Sequence, residues 1–266
     1  MKNKQSKIAK IFLIFLTLFC LSANSFAAAS RNLTIFAEPN MALPLTKIAR
    51  LFSQNNNTIV SLNFNPTSDL VKDIDSGEPA DILVSAHLEL LESLRQKGVV
   101  DVHNFAYVAS DNLVLLTAAD NDGIFSALQK KPEEQQLSFE QALKILDKNR
   151  ANLIIDNFNN SSGNSSQKLL TQLRLSNLKI SKKINEDKTS IFSIIQSEKK
   201  CYTLLLKSQT FNHKELQIIA EKKDANIFYE ALVIAGDNME VAREFLKFVK
   251  SDLAKTILQE SGFATE

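Results

Sequence analysis

The segment from Leu33 to Ile48, LTIFAEPNMALPLTKI, constrains the fold of this chain most strongly. A short apolar run ends in a polar turn, and an amphipathic segment begins directly after it. This pattern predicts a strand that leads into the N-terminus of a helix. A helix N-terminus presents free backbone N–H groups and the positive end of the helix dipole, so the junction favours an anion placed above the turn.

The same strand–turn–helix order occurs twice more in the first hundred residues. The three predicted units are 33–37 with 42–54, 60–64 with 66–77, and 81–85 with 89–97. Strands that alternate with helices in this way predict a parallel sheet with right-handed crossovers. The chain therefore belongs to the α/β class.

The rest of the chain continues with the same kinds of element. We expect strands at 113–117, 153–156, 202–206 and 227–234, and helices at 138–147, 167–175, 191–195, 240–250 and 253–261. The segment 157–166 is rich in Asn, Ser and Gly, which would also suit a disordered linker. Its position between an apolar strand and an amphipathic helix favours a further polar strand–helix junction instead.

The first 27 residues have the three parts of a secretory signal peptide. Four lysines precede an apolar stretch at 11–23 that is too short to span a bilayer comfortably, and Ser25-Phe26-Ala27 predicts cleavage near Ala27. An uncleaved membrane anchor is the alternative interpretation. Cleavage would leave a chain with a net charge of about −3, which argues against nucleic-acid binding.

The number of cysteines and the absence of known catalytic motifs limit the functions this chain can have. Only Cys201 would remain after cleavage, so no intramolecular disulfide is expected, and a packed core must stabilise the fold. The sequence contains no GxSxG, HExxH, CxxC or Walker motif, and the three histidines are scattered. We therefore expect neither catalysis nor a bound cofactor. An exported enzyme with His87 near its active site remains an alternative.

Four stretches resemble the periplasmic molybdate-binding proteins of ABC importers. They are TIFAEPNM at 34–41, NFNPTSDL at 63–70, SGEPADILVSAH at 76–87 and AREFLKFVKSDLAKTILQESGF at 242–263. The third stretch is the most specific, because it combines a particular turn with a particular strand entry. The middle third of the chain resembles the family only in its order of elements.

This resemblance implies a two-lobed, class II periplasmic-binding-protein-like fold, in which each lobe is a mostly parallel sheet flanked by helices. Residues 31–111 and 232–266 would form lobe I, and residues 112–231 would form lobe II, with the ligand in the cleft between them. It also implies a periplasmic monomer that binds a small oxyanion of the molybdate or tungstate type and delivers it to an ABC permease in the inner membrane. No cofactor and no protein-bound metal are implied.

The resemblance also assigns ligand-binding positions. These fall on Asn40 and Thr67 in lobe I, and near Ser162 and Lys188 in lobe II. A ligand-contacting tyrosine of the family falls on or near Leu206, whose side chain cannot donate a hydrogen bond.

Glu38 and Asp69 place carboxylates in two turns where the family has small neutral residues. A dianion about 5 Å from one carboxylate is opposed by roughly 6 kcal/mol at an effective dielectric constant of about 20. Either these side chains point away, or the ligand is not molybdate. Asp69 would also stabilise its helix dipole without any ligand, whereas Pro39 restricts Glu38 to an extended backbone. The alternative function is a diverged protein that has lost oxyanion binding and binds another small ligand or a protein partner.

Overall fold

The structure, a computed structural model, describes residues 31–121, 123–125, 137–175, 177–181, 191–198 and 201–265. The predicted signal peptide lies outside these residues. Residues from Asn32 onwards cluster as one compact unit. Among the described helices, none combines the length and the apolar character that a membrane crossing requires.

Eight strands form one mixed sheet in the order β2-β1-β3-β8-β4-β7-β5-β6. The strands are β1 Arg31–Ala37, β2 Thr58–Phe64, β3 Ile82–Ser85, β4 Val100–Ala118, β5 Asn152–Ile155, β6 Lys179–Ser181, β7 Cys201–Leu206 and β8 Leu216–Ile234. Strand β1 pairs with β3 in parallel, and β5 pairs in parallel with both β6 and β7. Strand β8 is antiparallel to β3 and β4, and β4 is antiparallel to β7. The sheet is therefore parallel on both sides of an antiparallel centre.

Strands β4 and β8 form a long central ribbon. Each has 19 residues, and they pair along their length with register shifts that include one between Asp111 and Leu113. On one side of this ribbon lie β2, β1 and β3, which we call the first half of the sheet. On the other side lie β7, β5 and β6, the second half. The sequence predicted only 113–117 and 227–234 of these two strands, because polar residues interrupt the apolar alternation in the remainder.

Eight α-helices cover the sheet in the described part of the chain. They are α1 Ala42–Asn56, α2 Thr67–Asp75, α3 Leu88–Lys97, α4 Phe139–Lys148, α5 Ser161–Leu173, α6 Ile191–Ser197, α7 Met239–Val249 and α8 Asp252–Gln259. Helix α1 packs against the C-terminal helix α7, where the Phe52 and Phe245 rings meet edge to face with centroids 5.2 Å apart. Residues near both ends of the described part of the chain therefore share one core.

The start of α5 differs from the prediction. The polar segment 157–166 was expected to be a turn, but α5 already begins at Ser161, and Asn160 caps it by accepting a hydrogen bond from the Gly163 N–H at 2.9 Å. Ser161 and Ser162 are buried. A Cβ atom on Gly163 would lie 2.0 Å from the carbonyl oxygen of Asn157, so only glycine fits there. The small polar residues are therefore a buried helix start, not a loop.

Candidate functional site

A buried carboxylate lies where the turns after β1, β2 and β3 meet. Glu38 directly follows β1 and is 2% exposed. Its backbone is extended, with φ −65° and ψ 150°, as the following Pro39 requires. Its N–H donates to the carbonyl oxygen of Val84 in β3 at 3.3 Å. The start of the side chain is thus fixed beside the end of β3.

Four neutral donors converge on a single oxygen of this carboxylate, Glu38 Oε1. The donors are Ser161 Oγ at 2.5 Å, Ser85 Oγ at 2.6 Å, Thr67 Oγ1 at 2.9 Å and the Ala86 backbone N–H at 2.9 Å. Thr67 begins α2 and Ser161 begins α5, so the positive ends of two helix dipoles also face this oxygen. The arrangement is that of an anion-binding site, and the anion it holds is the protein's own side chain.

The hydroxyl groups of Thr67 and Ser85 donate their protons to oxygens within this site. Thr67 Oγ1 and Ser85 Oγ lie 2.8 Å apart, so their two protons serve three oxygen–oxygen contacts. Ser85 Oγ also accepts from the His87 N–H at 2.9 Å. Within the described residues, no basic side chain bonds to Glu38. The negative charge is balanced by neutral groups alone.

Asn40 follows Glu38 in the same turn but bonds to other residues. Its Nδ2 donates to Tyr229 Oη at 2.5 Å and to Ser208 Oγ at 3.0 Å. Tyr229 is fully buried in β8, and burial together with the charges of Glu38 and Asp111 raises the pKa of its phenol well above the usual value. The Asn40 amide therefore ties the turn after β1 to the segment after β7.

Two further acids, one buried and one partly buried, lie around the site. Burial raises the pKa of Asp111 in β4 from 3.8 to about 6, although the N–H of Ser208 donates to its carboxylate at 3.3 Å. Burial also raises the pKa of Asp156, just after β5, and the charge of Glu38 adds to this shift. The surroundings of Glu38 thus disfavour additional negative charge.

The contact between Glu38 and Ser161 joins the two halves of the sheet, and three further contacts accompany it. They are Ser68 N–H to the Asn159 carbonyl oxygen at 3.2 Å, His87 Nε2 to the Phe158 carbonyl oxygen at 3.3 Å, and an ion pair between Lys168 and Glu89. All four connect segments after β1, β2 or β3 with α5 or with the turn that precedes it. The halves are therefore held together around Glu38.

Two open grooves flank the site. One of about 310 Å³ includes Ala86, Leu88, Asn164 and Lys168 in its lining, and one of about 290 Å³ includes Asn40, Leu43, Phe192 and Ser208. In the part of the chain that the structure describes, no group of three or more His, Cys, Asp or Glu residues could hold a metal ion.

Comparison with known proteins identifies the family. Residues 33–264 match the family described as bacterial extracellular solute-binding protein. The chain belongs to this family. This solute-binding protein is 23% identical over 245 residues to the molybdate-binding protein ModA of Haemophilus influenzae, which covers 90% of this chain and 92% of the relative.

Solved structures show the same architecture. The periplasmic molybdate-binding protein of Azotobacter vinelandii matches with a TM-score of 0.64 and 17% identity, covering 88% of this chain and 99% of that one. The tungstate-binding protein TupA of Desulfovibrio alaskensis matches with a TM-score of 0.67 and 13% identity. The match covers 89% of this chain and 99% of that one. The predicted two-lobed periplasmic-binding-protein fold is confirmed.

The solute-binding protein places its predicted ligand residues at different depths. Thr67 bonds directly to Glu38, whereas Asn40 bonds to Ser208 and Tyr229. Ser162 is 2% exposed, and its Oγ has no hydrogen-bond partner in the described part of the chain. Lys188 lies outside the described residues. The ligand-binding roles of all four residues stay predictions.

The sequence leaves open whether the carboxylates of Glu38 and Asp69 face the site, and the structure places that of Asp69 at the surface. Its side chain is half exposed, and Oδ1 lies 3.0 Å from Lys72 Nζ one turn along α2. It therefore stabilises the helix N-terminus, as an acidic residue in a first turn does without any ligand. Leu206 ends β7 with a buried side chain, and only its backbone N–H donates, to Gln209 Oε1 at 2.9 Å.

Sequence reasoning missed three side chains of this site. Ser85 and Ser161 donate to Glu38, and Tyr229 bonds to Asn40. Ser85 stands in the motif SGEPADILVSAH, directly after an apolar strand, which was a usable signal. Ser161 could not be singled out among its polar neighbours, and Tyr229 lies within a strand with no distinguishing pattern.

Proposed function

We propose that this protein is the extracytoplasmic solute-binding component of an ABC importer, and that it binds a small oxyanion of the molybdate or tungstate type between its two lobes. Family membership and the ligands named in its relatives' descriptions support this. The observation that carries the proposal is the convergence of four neutral donors on one anionic oxygen. Donors that hold a carboxylate oxygen suit an oxyanion oxygen equally well.

The ligand would lie where the Glu38 carboxylate lies now. Thr67 would contact it directly, with Ser162 and Lys188 contributing from lobe II and Asn40 supporting the first turn. We assign residues 31–111 and 232–266 to lobe I and residues 112–231 to lobe II. A register shift in the β4–β8 ladder at Asp111 supports a division at that level.

We further propose that the chain is cleaved near Ala27 and acts in the periplasm as a monomer that delivers its ligand to an inner-membrane permease. Neither nucleic-acid binding, catalysis nor a resident cofactor or metal forms part of this proposal. His87, the histidine nearest the site, is buried and directed at the carbonyl oxygen of Phe158, which suits a structural role.

Thermal unfolding of purified residues 28–266 tests the ligand. Molybdate, tungstate, sulfate, phosphate and chromate would each be added to the wild type and to Glu38→Ala. A ligand at 100 times its Kd stabilises the folded state by about 2.7 kcal/mol. If no oxyanion shifts the unfolding temperature of either protein, the oxyanion proposal is wrong.

The position of Glu38 favours a second candidate function, in which the site no longer takes an oxyanion and the protein binds another small ligand or a protein partner. In that case a carboxylate beside the buried Asp111 and the partly buried Asp156 suits a neutral or cationic solute better than an anion. A solute of that kind that stabilises the wild type but not Glu38→Ala would support this candidate.

A further inference from the structure

We propose that the Glu38 carboxylate is a built-in occupant of the anion site, which holds the two lobes closed in the absence of solute and which any oxyanion must displace. The identity of the competitor rests on the proposed function, but the closing role of Glu38 does not.

The first argument is that Glu38 uses the donors an oxyanion would need. The Thr67, Ser85 and Ser161 hydroxyls each have one proton to donate, and the Ala86 N–H has one. All four groups contact Glu38 Oε1 at 2.5–2.9 Å. An oxyanion therefore finds no free donor in this cluster while Glu38 remains in place.

The second argument is that Glu38 connects the lobes. Glu38 follows β1, the second strand from one edge of the sheet, and Ser161 follows β5, the second strand from the other edge. They are 123 residues apart in sequence, and their side chains lie 2.5 Å apart with Glu38 accepting the hydrogen bond. A bound solute would have to make the same bridge between the lobes. Here a side chain of lobe I makes it.

The third argument is charge. Glu38 makes no hydrogen bond or ion pair to a basic side chain among the described residues, and the buried Asp111 and the partly buried Asp156 lie nearby. A dianion and the Glu38 carboxylate cannot share this site without strong repulsion, because both charges are buried and unscreened. Binding of an oxyanion and departure of Glu38 must therefore be coupled.

The affinity experiment compares the wild type, Glu38→Ala and Glu38→Gln by calorimetric titration with molybdate, tungstate and sulfate. We expect Glu38→Ala to bind at least one of these about 100-fold more tightly than the wild type, because a buried competing charge is removed. Glu38→Gln keeps an acceptor oxygen without the charge and should fall between them. Asp69→Ala is the matched control, since it removes an exposed carboxylate from the neighbouring turn and should leave the affinity unchanged.

The closure experiment measures the distance between spin labels on Lys47→Cys in α1 and Gln167→Cys in α5, two exposed positions in different lobes. The native Cys201 is 1% exposed and should not react in the folded protein. We expect the two labels in the wild type to lie at the same short distance with or without tungstate. Glu38→Ala should show a longer distance that tungstate shortens.

The outcomes separate the two proposals. A wild type that binds an oxyanion as tightly as Glu38→Ala, with equal label distances in both, would overturn the inference while supporting the proposed function. A Glu38→Ala variant with a longer label distance that binds no oxyanion would support the closing role of Glu38. It would overturn the proposal that the ligand is an oxyanion. If Glu38→Ala does not fold, equal affinities for Glu38→Gln and the wild type would overturn the inference.

Discussion

At the scale of single residues, this protein buries carboxyl groups in two different ways. Glu38 is surrounded by hydroxyl and N–H donors at 2.5–2.9 Å, which replace the water it loses. Asp111 has fewer close donors, because it accepts from the Asn112 N–H at 2.8 Å while the Ser208 N–H lies 3.3 Å from both of its oxygens, and burial raises its pKa to about 6. The two residues should therefore respond differently to mutation and to pH.

Asp111 should make the protein less stable as the pH rises from about 4 to about 6. Its carboxyl keeps its proton up to about pH 6 when folded but loses it near pH 4 when unfolded, so the folded state binds more protons in this window. The free energy of unfolding then falls by about 3 kcal/mol across the window. Urea unfolding from pH 4 to 7 should show a smaller fall in Asp111→Asn. Parallel curves for the variant and the wild type would contradict this.

Thr67→Val should destabilise the protein by about 2 kcal/mol, because it removes a hydrogen bond to a buried charged group while nearly preserving shape. Thr67 is fully buried and donates to Glu38 Oε1. In a Glu38→Ala background the charged acceptor is absent, so the cost should shrink. Urea unfolding of the two single variants and the double variant measures this coupling. An unchanged cost in both backgrounds would show that the hydroxyl does not act through Glu38.

At the scale of elements, the start of α5 decides whether the site is complete. Its first residue donates to Glu38, and it can come this close only because the turn before it packs directly on Gly163. Asn160 satisfies one N–H of the first turn, which further fixes the helix start. A displacement of this turn by a fraction of an ångström would break the bridge between the lobes.

Gly163→Ala should therefore destabilise the protein by about 1–3 kcal/mol through overpacking and should lengthen the label distance across the lobes. The added Cβ would meet the backbone carbonyl of Asn157, which cannot rotate away as a side chain could. Gly236→Ala is the matched control, because nothing lies within 4 Å of the Cβ it would gain. Equal unfolding midpoints for the two variants would contradict this expectation.

The sequence predicts features that depend on neighbouring residues, but not contacts between residues that are far apart in the chain. Strands β1, β2 and β3 with the helices that follow them were predictable from apolar periodicity and turn residues within one short window. The partner of Glu38 was not, because Ser161 is 123 residues away and looks like its neighbours in sequence. Composition also suggested a loop where Ser161 and Gly163 begin α5, since small polar residues suit both a turn and a closely packed helix start.

At the scale of the whole molecule, the β4–β8 ribbon connects the two halves. Residues Ala106 and Ala231 pair beside β3, while Val114 pairs with both Glu221 and Leu205 beside β7. Both halves thus depend on the same two continuous strands. Any movement of one half relative to the other must be taken up by twisting of this ribbon, most easily at the register shift after Asp111.

Shared strands should make the two halves unfold together. Far-ultraviolet circular dichroism reports the whole sheet. Tyrosine fluorescence reports the exposed Tyr107 in β4 together with Tyr229 in β8 and Tyr202 in β7, which are fully or almost fully buried. We expect one transition in urea with the same midpoint by both probes. Two separate midpoints would show that the halves are energetically independent.

The continuity of β4 and β8 also limits how this protein can be divided. A gene fragment that encodes residues 112–231 alone would contain most of β8 but only the last part of β4, so a stretch of β8 would lose its neighbour. Unpaired strand edges promote aggregation. Recombinant production of an isolated lobe should therefore yield insoluble material, whereas point variants in the full-length chain keep every strand paired.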